Sequence, residues 1–306
     1  MRTEIKEPHG RETYIADFGN GLVMKRPLPE SSQNQKDKWL EKQHKTKMVI
    51  DEIRAVNNPV YNIPQMIYIK DDEYQLLEER AQGKPLNANL FYSLTERQRV
   101  EIVNSIASFL VDMNELKPVY AECYHKLADE LKMIKLNNII NTKMPKWFET
   151  DEIKYMMNLS FEISEFGYVT KQAWSHGDLN AGNVLYDAEN SKISFIDFAE
   201  ANYNFIFRDI FSPLNLDLGI CKPVYDLYTK LHDKDKYKMP GVRTPELQNI
   251  MRYRIITVLL KRFIKAGDDL RLYPQSDETK QNSMEKVLYM RDLIDKLQYI
   301  EKQLLK

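Results

Sequence analysis

Short runs in which apolar and polar residues alternate fill the first quarter of the chain. Thr3 to Lys6 and Thr13 to Asp17 each predict a strand, joined through Pro8-His9-Gly10-Arg11-Glu12. The turn Phe18-Gly19-Asn20-Gly21 leads to a third strand, Leu22-Val23-Met24-Lys25. Residues 27–38 are polar, with Pro27, Pro29, Ser31 and Ser32, and predict a flexible connection. The period then changes. Met48, Val49, Ile53 and Val56 form an apolar stripe that predicts a helix from about Trp39 to Val56. Pro64 to Ile69 and Tyr74 to Leu77 return to strand character around the turn residues Asp71-Asp72.

Helical periodicity takes over afterwards. Thr95-Glu96-Arg97-Gln98 has the spacing of a capping box, and Val100, Val103, Ile106, Ala107, Leu110 and Met113 repeat at helical period behind it. Residues from about Ala121 to Ser164 give further helical patterns broken near Pro145. Beyond Asp209 the pattern is almost wholly helical to Lys306, with breaks at Pro213, Pro240-Gly241 and Pro274. One stretch, Trp174 to Asp197, interrupts this. In it Val184-Leu185-Tyr186 and Ile193-Ser194-Phe195-Ile196 flank Asp187-Ala188-Glu189-Asn190-Ser191, which is turn chemistry. A hairpin there brings Asn183 and Asp197 to the same end.

A chain of 306 residues is long enough for a sizeable core and predicts two domains or lobes. A net charge of -1 excludes a global basic footprint for nucleic acid. Cys123 and Cys221 are too few and too far apart for a disulfide framework or a zinc site. No apolar run approaches the roughly 18 residues that a membrane-spanning helix needs. The expectation is a cytoplasmic protein with no nucleic-acid and no membrane partner.

The candidate chemistry sits in the interrupting stretch. His176, Asp178, Asn183 and Asp197 follow the spacing H-x-D, four residues, then N, with an apolar strand closing on Ile196-Asp197-Phe198. In-line transfer of a phosphoryl group requires a carboxylate beside the attacking hydroxyl, and Asp178 is the candidate general base. A nucleotide triphosphate arrives with Mg²⁺, a hard cation that takes oxygen ligands, and Asn183 and Asp197 can supply them. Singly, each of these residues would read as a surface cap or turn residue. Four in register point to a phosphoryl-transfer site.

The segment resembles the aminoglycoside phosphotransferase and choline kinase group of protein-kinase-like small-molecule kinases, whose loop reads H-G-D-L-x-x-x-N. Here it is His176-Gly177-Asp178-Leu179 and Asn183, followed by Ile196-Asp197-Phe198 and by a further Asp, Asp209. Ala199 stands where a protein kinase has the Gly of D-F-G. The resemblance implies an α+β, bilobal protein-kinase-like fold. Its N-lobe, residues 1–82, has a small antiparallel sheet and one main helix, and its C-lobe, residues 83–306, is larger and mainly helical. It also implies ATP or GTP as phosphoryl donor with Mg²⁺. Gly10 then lies in the loop over the phosphates, Lys25 contacts the α- and β-phosphates, and a helix glutamate orients that lysine. Glu41 and Glu52 are 11 residues apart, close to three helical turns, so phase does not separate them. The distance of Glu52 from Ile63-Pro64 resembles the family better, which favours Glu52. Glu78-Glu79-Arg80-Ala81-Gln82-Gly83 resembles the hinge, which places the base against backbone groups around Arg80 and Ala81.

The acceptor expected from the resemblance is a hydroxyl of a small molecule such as an aminoglycoside, a sugar or an amino alcohol. From Arg208 onward Lys and Arg outnumber Asp and Glu, which mildly favours a neutral or anionic acceptor over a polycationic one. A protein kinase or effector on the same fold, and a non-catalytic nucleotide-binding module, are the alternatives.

Overall fold

The structure, a computed structural model, describes residues 13–116, 119–126, 130–165, 167–205, 209, 218–231, 247–271 and 276–304. The expected strand Thr3–Lys6, the loop with Gly10 and the breaks at Pro213, Pro240-Gly241 and Pro274 lie outside these residues.

Alternation produces β1 (Thr13–Gly19) and β2 (Leu22–Pro27), antiparallel, with Ile15 opposite Lys25 and Ala16 opposite Met24. Between them Gly19, Asn20 and Gly21 all hold positive φ, which makes the expected turn. The main helix follows as α1 (Gln33–Ala55). It starts six residues earlier than the apolar stripe suggested, because Ser32 and Gln35 form a capping box at its N-terminus. The polar segment read as a flexible connection therefore supplies the first turns of the helix. The buried face also differs from expectation. It carries Trp39, Gln43, Thr46, Val49, Ile50 and Ile53, whereas Met48 and Val56 are exposed.

β3 (Met66–Lys70) and β4 (Gln75–Glu79) complete a four-stranded antiparallel sheet in the order β1-β2-β4-β3. The chain then passes through β5 (Lys84–Pro85) and α2 (Ala88–Ser93) to α3 (Glu96–Glu115), whose capping box uses Thr95 and Gln98 as the spacing predicted. Residues expected to start a helical region instead extend as β6 (Val119–Lys126). α4 (Glu130–Asn138), a π-helical turn at Ile139–Lys143, α5 (Met144–Trp147) and α6 (Thr150–Glu165) come next.

β7 (Gly167–Ser175) leads into the interrupting stretch, where β8 (Val184–Asp187) and β9 (Lys192–Phe195) form the expected hairpin. β10 (Asn202–Phe205) pairs with β7. β10, β7 and β6 make one three-stranded sheet in that order, and β5, β8 and β9 make another. The described residues that follow include the helices α7 (Leu218–Leu231), α8 (Leu247–Asp269) and α9 (Asp277–Leu304). A small antiparallel sheet with one long helix, followed by a mainly helical part, is the α+β organisation expected.

The chain forms two compact units, residues 1–121 with 171–237, and residues 122–170 with 238–306. In the first, α3 packs on α7, and an aromatic core lies under the hairpin. Phe109 of α3 stacks on Phe195 at 3.8 Å between ring centroids and meets Tyr61 and Phe198 edge-on. In the second, α8 packs on α9 and α4. The largely buried Arg252 of α8 bridges Glu162 of α6 and Glu301 of α9, so its charge is paired twice.

Candidate active site

The chemistry-bearing residues of the first unit are set by the β8–β9 hairpin and the loop before it. Val184 pairs with Phe195, and Ile196 N–H donates to Asn183 C=O at 3.0 Å, so Asn183 and Asp197 emerge at one end of the hairpin. Asp187 shapes the opposite end, accepting from the backbone N–H of Glu189 and from the Asn190 side chain. Asp197 itself is held in the left-handed region, at φ 61, a conformation that Asp tolerates better than most residues.

The loop is fixed from beneath by two buried groups. His176 has no solvent exposure, and its Nε2–H donates to Ile196 C=O at 2.9 Å. That leaves Nδ1 as the acceptor facing the Asp178 N–H at 3.4 Å. Burial pushes the imidazole pKa down, against Asp209 and the Ile196 carbonyl, which push it up. The buried Asp209 accepts from the N–H of His176 at 2.5 Å and of Gly177 at 3.1 Å, so one carboxylate clamps two consecutive peptide groups. Gly177 adopts φ +84, and a Cβ there would stand 2.2 Å from the carbonyl oxygen of Glu200. Only glycine fits that approach.

Asp178 is exposed at the surface of this loop. Asn183 donates its side-chain Nδ2–H to the Asp178 carbonyl at 2.8 Å and lies 3.3 Å from the Asp178 carboxylate. The amide oxygen of Asn183 is thereby left as the group that can accept or ligate.

Lys25 of β2 enters the same cleft. A cavity of about 460 Å³ is lined by Lys25, Glu78, Asn183, Asp197, Thr46 and Gln43, among others. A second, of about 190 Å³, shares Lys25, Glu78 and Asp197 and continues to Ile15, Val23, Leu185, Arg80 and Ala81. Apolar walls on two sides and a chain segment with backbone polar groups at one end suit a flat heteroaromatic ring. The Arg80 N–H is already committed to Gly21 C=O at 2.7 Å, and its guanidinium pairs with Asp17. Lys25 Nζ lies 2.5 Å from Glu78 Oε1. Burial pulls the Lys25 pKa down, but Glu78 and then Asp197 outweigh it, so the ammonium is held above its ordinary value.

The structure thus brings together Lys25, Asn183, Asp197, Arg80 and Ala81 around one cleft, with Asp178 beside Asn183. It does not bring Glu52 or Glu41 there. The positions of α1 that line the cleft are Gln35, Lys38, Trp39, Lys42, Gln43, Thr46 and Ile50. Neither Glu41, which is exposed, nor Glu52, which is half-buried, is among them. Gly10 lies outside the described residues. Glu78, which sequence reasoning placed in the hinge without a role, is the carboxylate on Lys25.

The set of oxygen donors fits a hard divalent cation. Asn183 and Asp197 flank one cleft and offer an amide and a carboxylate oxygen, the donor types Mg²⁺ takes when phosphates and water complete its shell. Among the described residues no group of three or more His, Cys, Asp or Glu could hold a metal on its own.

Comparison with known proteins agrees with this architecture. The fold is that of the kinase-like phosphotransferases. Residues 12–224 match the model of the phosphotransferase enzyme family (APH), and the chain belongs to that family. No curated protein sequence matches it. Three solved structures share the fold at low identity. The GDP complex of wild-type aminoglycoside 2'-phosphotransferase-IIIa is 13% identical with a TM-score of 0.55, covering 95% of this chain and 91% of that one. ADP-bound aminoglycoside phosphotransferase APH(2'')-Ib is 13% identical with a TM-score of 0.52, covering 94% and 93%. A choline/ethanolamine kinase family protein from Mesorhizobium loti is 10% identical with a TM-score of 0.53, covering 98% and 92%.

Proposed function

We propose that this phosphotransferase moves the γ-phosphoryl group of ATP or GTP to a hydroxyl of a small molecule. The observation that carries the reading is the convergence of Lys25, Asn183 and Asp197 on one cleft, with Asp178 held beside Asn183. The lobe that binds nucleotide comprises residues 1–82 and the lobe that binds acceptor residues 83–306, divided where β4 gives way to β5.

In this reading the base lies between Ile15, Val23 and Leu185 and meets the backbone at the Arg80 carbonyl and Ala81. Lys25 carries the α- and β-phosphates. Asn183 Oδ1 and the Asp197 carboxylate hold Mg²⁺, which when bound neutralises charge on the phosphate oxygens. Asp178 accepts a hydrogen bond from the acceptor hydroxyl and takes its proton as the new oxygen–phosphorus bond forms and the bond to the β-phosphate oxygen breaks. His176 stays neutral and buried, holding Asp178 through the backbone.

A small acceptor is favoured over a protein by the segment after Asp197. Its described residues form a 3-10 turn at Phe198–Glu200 and the short strand β10, and Asp209 follows shortly after. Nothing of that length can display a long peptide-docking segment. The structural relatives named above include aminoglycoside phosphotransferases and a protein of the choline/ethanolamine kinase family. Calorimetric titration with ATP and GTP, with and without Mg²⁺, tests the nucleotide half of the reading. Mg²⁺-dependent binding that is lost in Asp197→Ala is expected, and equal binding by both proteins contradicts it.

A further inference from the structure

We propose that Glu78 is the carboxylate that positions Lys25 for the nucleotide phosphates, in place of a helix glutamate. The inference rests on the proposed role of Lys25 and concerns how this chain achieves it.

Contact is the first reason. Glu78 Oε1 lies 2.5 Å from Lys25 Nζ, and the two side chains are only 17% and 21% exposed. A pair that is mostly withdrawn from water is held more firmly than one on the surface. The second reason is the helix opposite. The face of α1 toward the cleft presents Gln35, Lys38, Trp39, Lys42, Gln43, Thr46 and Ile50, with no carboxylate among them. Its hydroxyl position is engaged: Thr46 Oγ1 donates to Lys42 C=O at 2.8 Å and approaches Phe198 C=O at 3.5 Å.

The third reason is register. β2 and β4 are hydrogen-bonded neighbours in which Lys25 pairs with Leu76 and Val23 with Glu78. Residues two apart on a strand point to the same face, so Glu78 is the diagonal neighbour of Lys25 on the cleft side. Backbone pairing therefore sets the distance between carboxylate and ammonium. A glutamate on a helix would make that distance depend on where the helix sits. Glu78 also lines both parts of the cleft together with Asp197, so Lys25 stands between two acidic groups. The consequence is a lysine aimed by its neighbour in the sheet.

A double-mutant cycle read by nucleotide titration with Mg²⁺ tests this without requiring turnover. Glu78→Gln should weaken nucleotide binding by about tenfold or more, the scale of a lost charged hydrogen bond. Glu78→Asp, which keeps the charge on a shorter arm, should fall between it and the wild type. In a Lys25→Met background Glu78→Gln should have no further effect, because Glu78 acts only through Lys25. Thermal melts identify any variant that is unfolded, and Glu78→Asp then carries the comparison. Wild-type affinity in folded Glu78→Gln, or an undiminished effect of Glu78→Gln in the Lys25→Met background, overturns the proposal. Wild-type affinity in Lys25→Met alone would instead overturn the role given to Lys25.

Discussion

Asn183 donates its side-chain amide to the carbonyl of Asp178 at 2.8 Å, so a candidate metal ligand and the candidate general base hold one another in place. Because this bond uses the backbone of Asp178, changing the Asp178 side chain leaves it intact. Asp178→Asn should therefore lower kcat by about a hundredfold or more with little change in nucleotide affinity. Steady-state kinetics and a nucleotide titration check both halves. Loss of nucleotide binding in this variant would mean that Asp178 serves the nucleotide site and not the acceptor.

Asp197 combines a charge at the cleft with a left-handed backbone at φ 61. Asp197→Ala should abolish Mg²⁺-dependent turnover while costing less than about 1–2 kcal/mol of stability, because Asp already carries part of the left-handed penalty that Ala meets in full. Turnover against Mg²⁺ concentration and a denaturant melt separate the two effects. Unchanged turnover would remove Asp197 from the metal site.

Gly177 and Gly19 have nearly the same φ, +84 and +81, but different surroundings. A Cβ on Gly177 meets backbone at 2.2 Å, whereas one on Gly19 meets nothing within 4 Å. Gly19→Ala should thus cost about 1–2 kcal/mol from conformation alone, and Gly177→Ala clearly more, about 3 kcal/mol or above, with loss of activity. Urea unfolding of both variants decides it. Equal costs would show that the loop yields freely at Glu200.

His176 makes stability depend on pH. Burial lowers its folded pKa below the ordinary 6.5, so between the two values the unfolded chain binds more protons. Its contribution is complete above about 6.5 and is lost as pH falls through the lowered folded value. The melting temperature should drop on acidification from pH 7.5 toward 5, and less steeply in His176→Gln. Parallel curves for the two proteins would contradict this.

Local signals carried much of the fold. The hairpin around Asp187–Ser191 was legible because alternation and turn residues coincide, and it alone brings Asn183 and Asp197 together. The Thr95 capping box was legible for the same kind of reason. The start of α1 was missed because its first turns are polar and Ser32-Gln33-Asn34-Gln35 sits among loop-like residues. β6 was missed because its strand character depends on a sheet formed with β7 and β10, far along the sequence. The contact of Lys25 with Glu78 was not legible. Neither Glu41 nor Glu52 lines the cleft, and the face of α1 that does was hard to read because Gln43 and Thr46 on it are polar. Glu78 reaches Lys25 through strand register, a non-local relation that no spacing along the chain displays.

The central claim is phosphoryl transfer to a small hydroxyl acceptor. Its most direct test is transfer of labelled γ-phosphate from ATP and GTP with Mg²⁺ to aminoglycosides, choline-like amines, sugars, amino-acid alcohols and a model protein, with Asp178→Asn as control. Label on a small-molecule acceptor, lost in the control, is the predicted result. Label on the protein alone, or equal transfer by Asp178→Asn, would contradict the account.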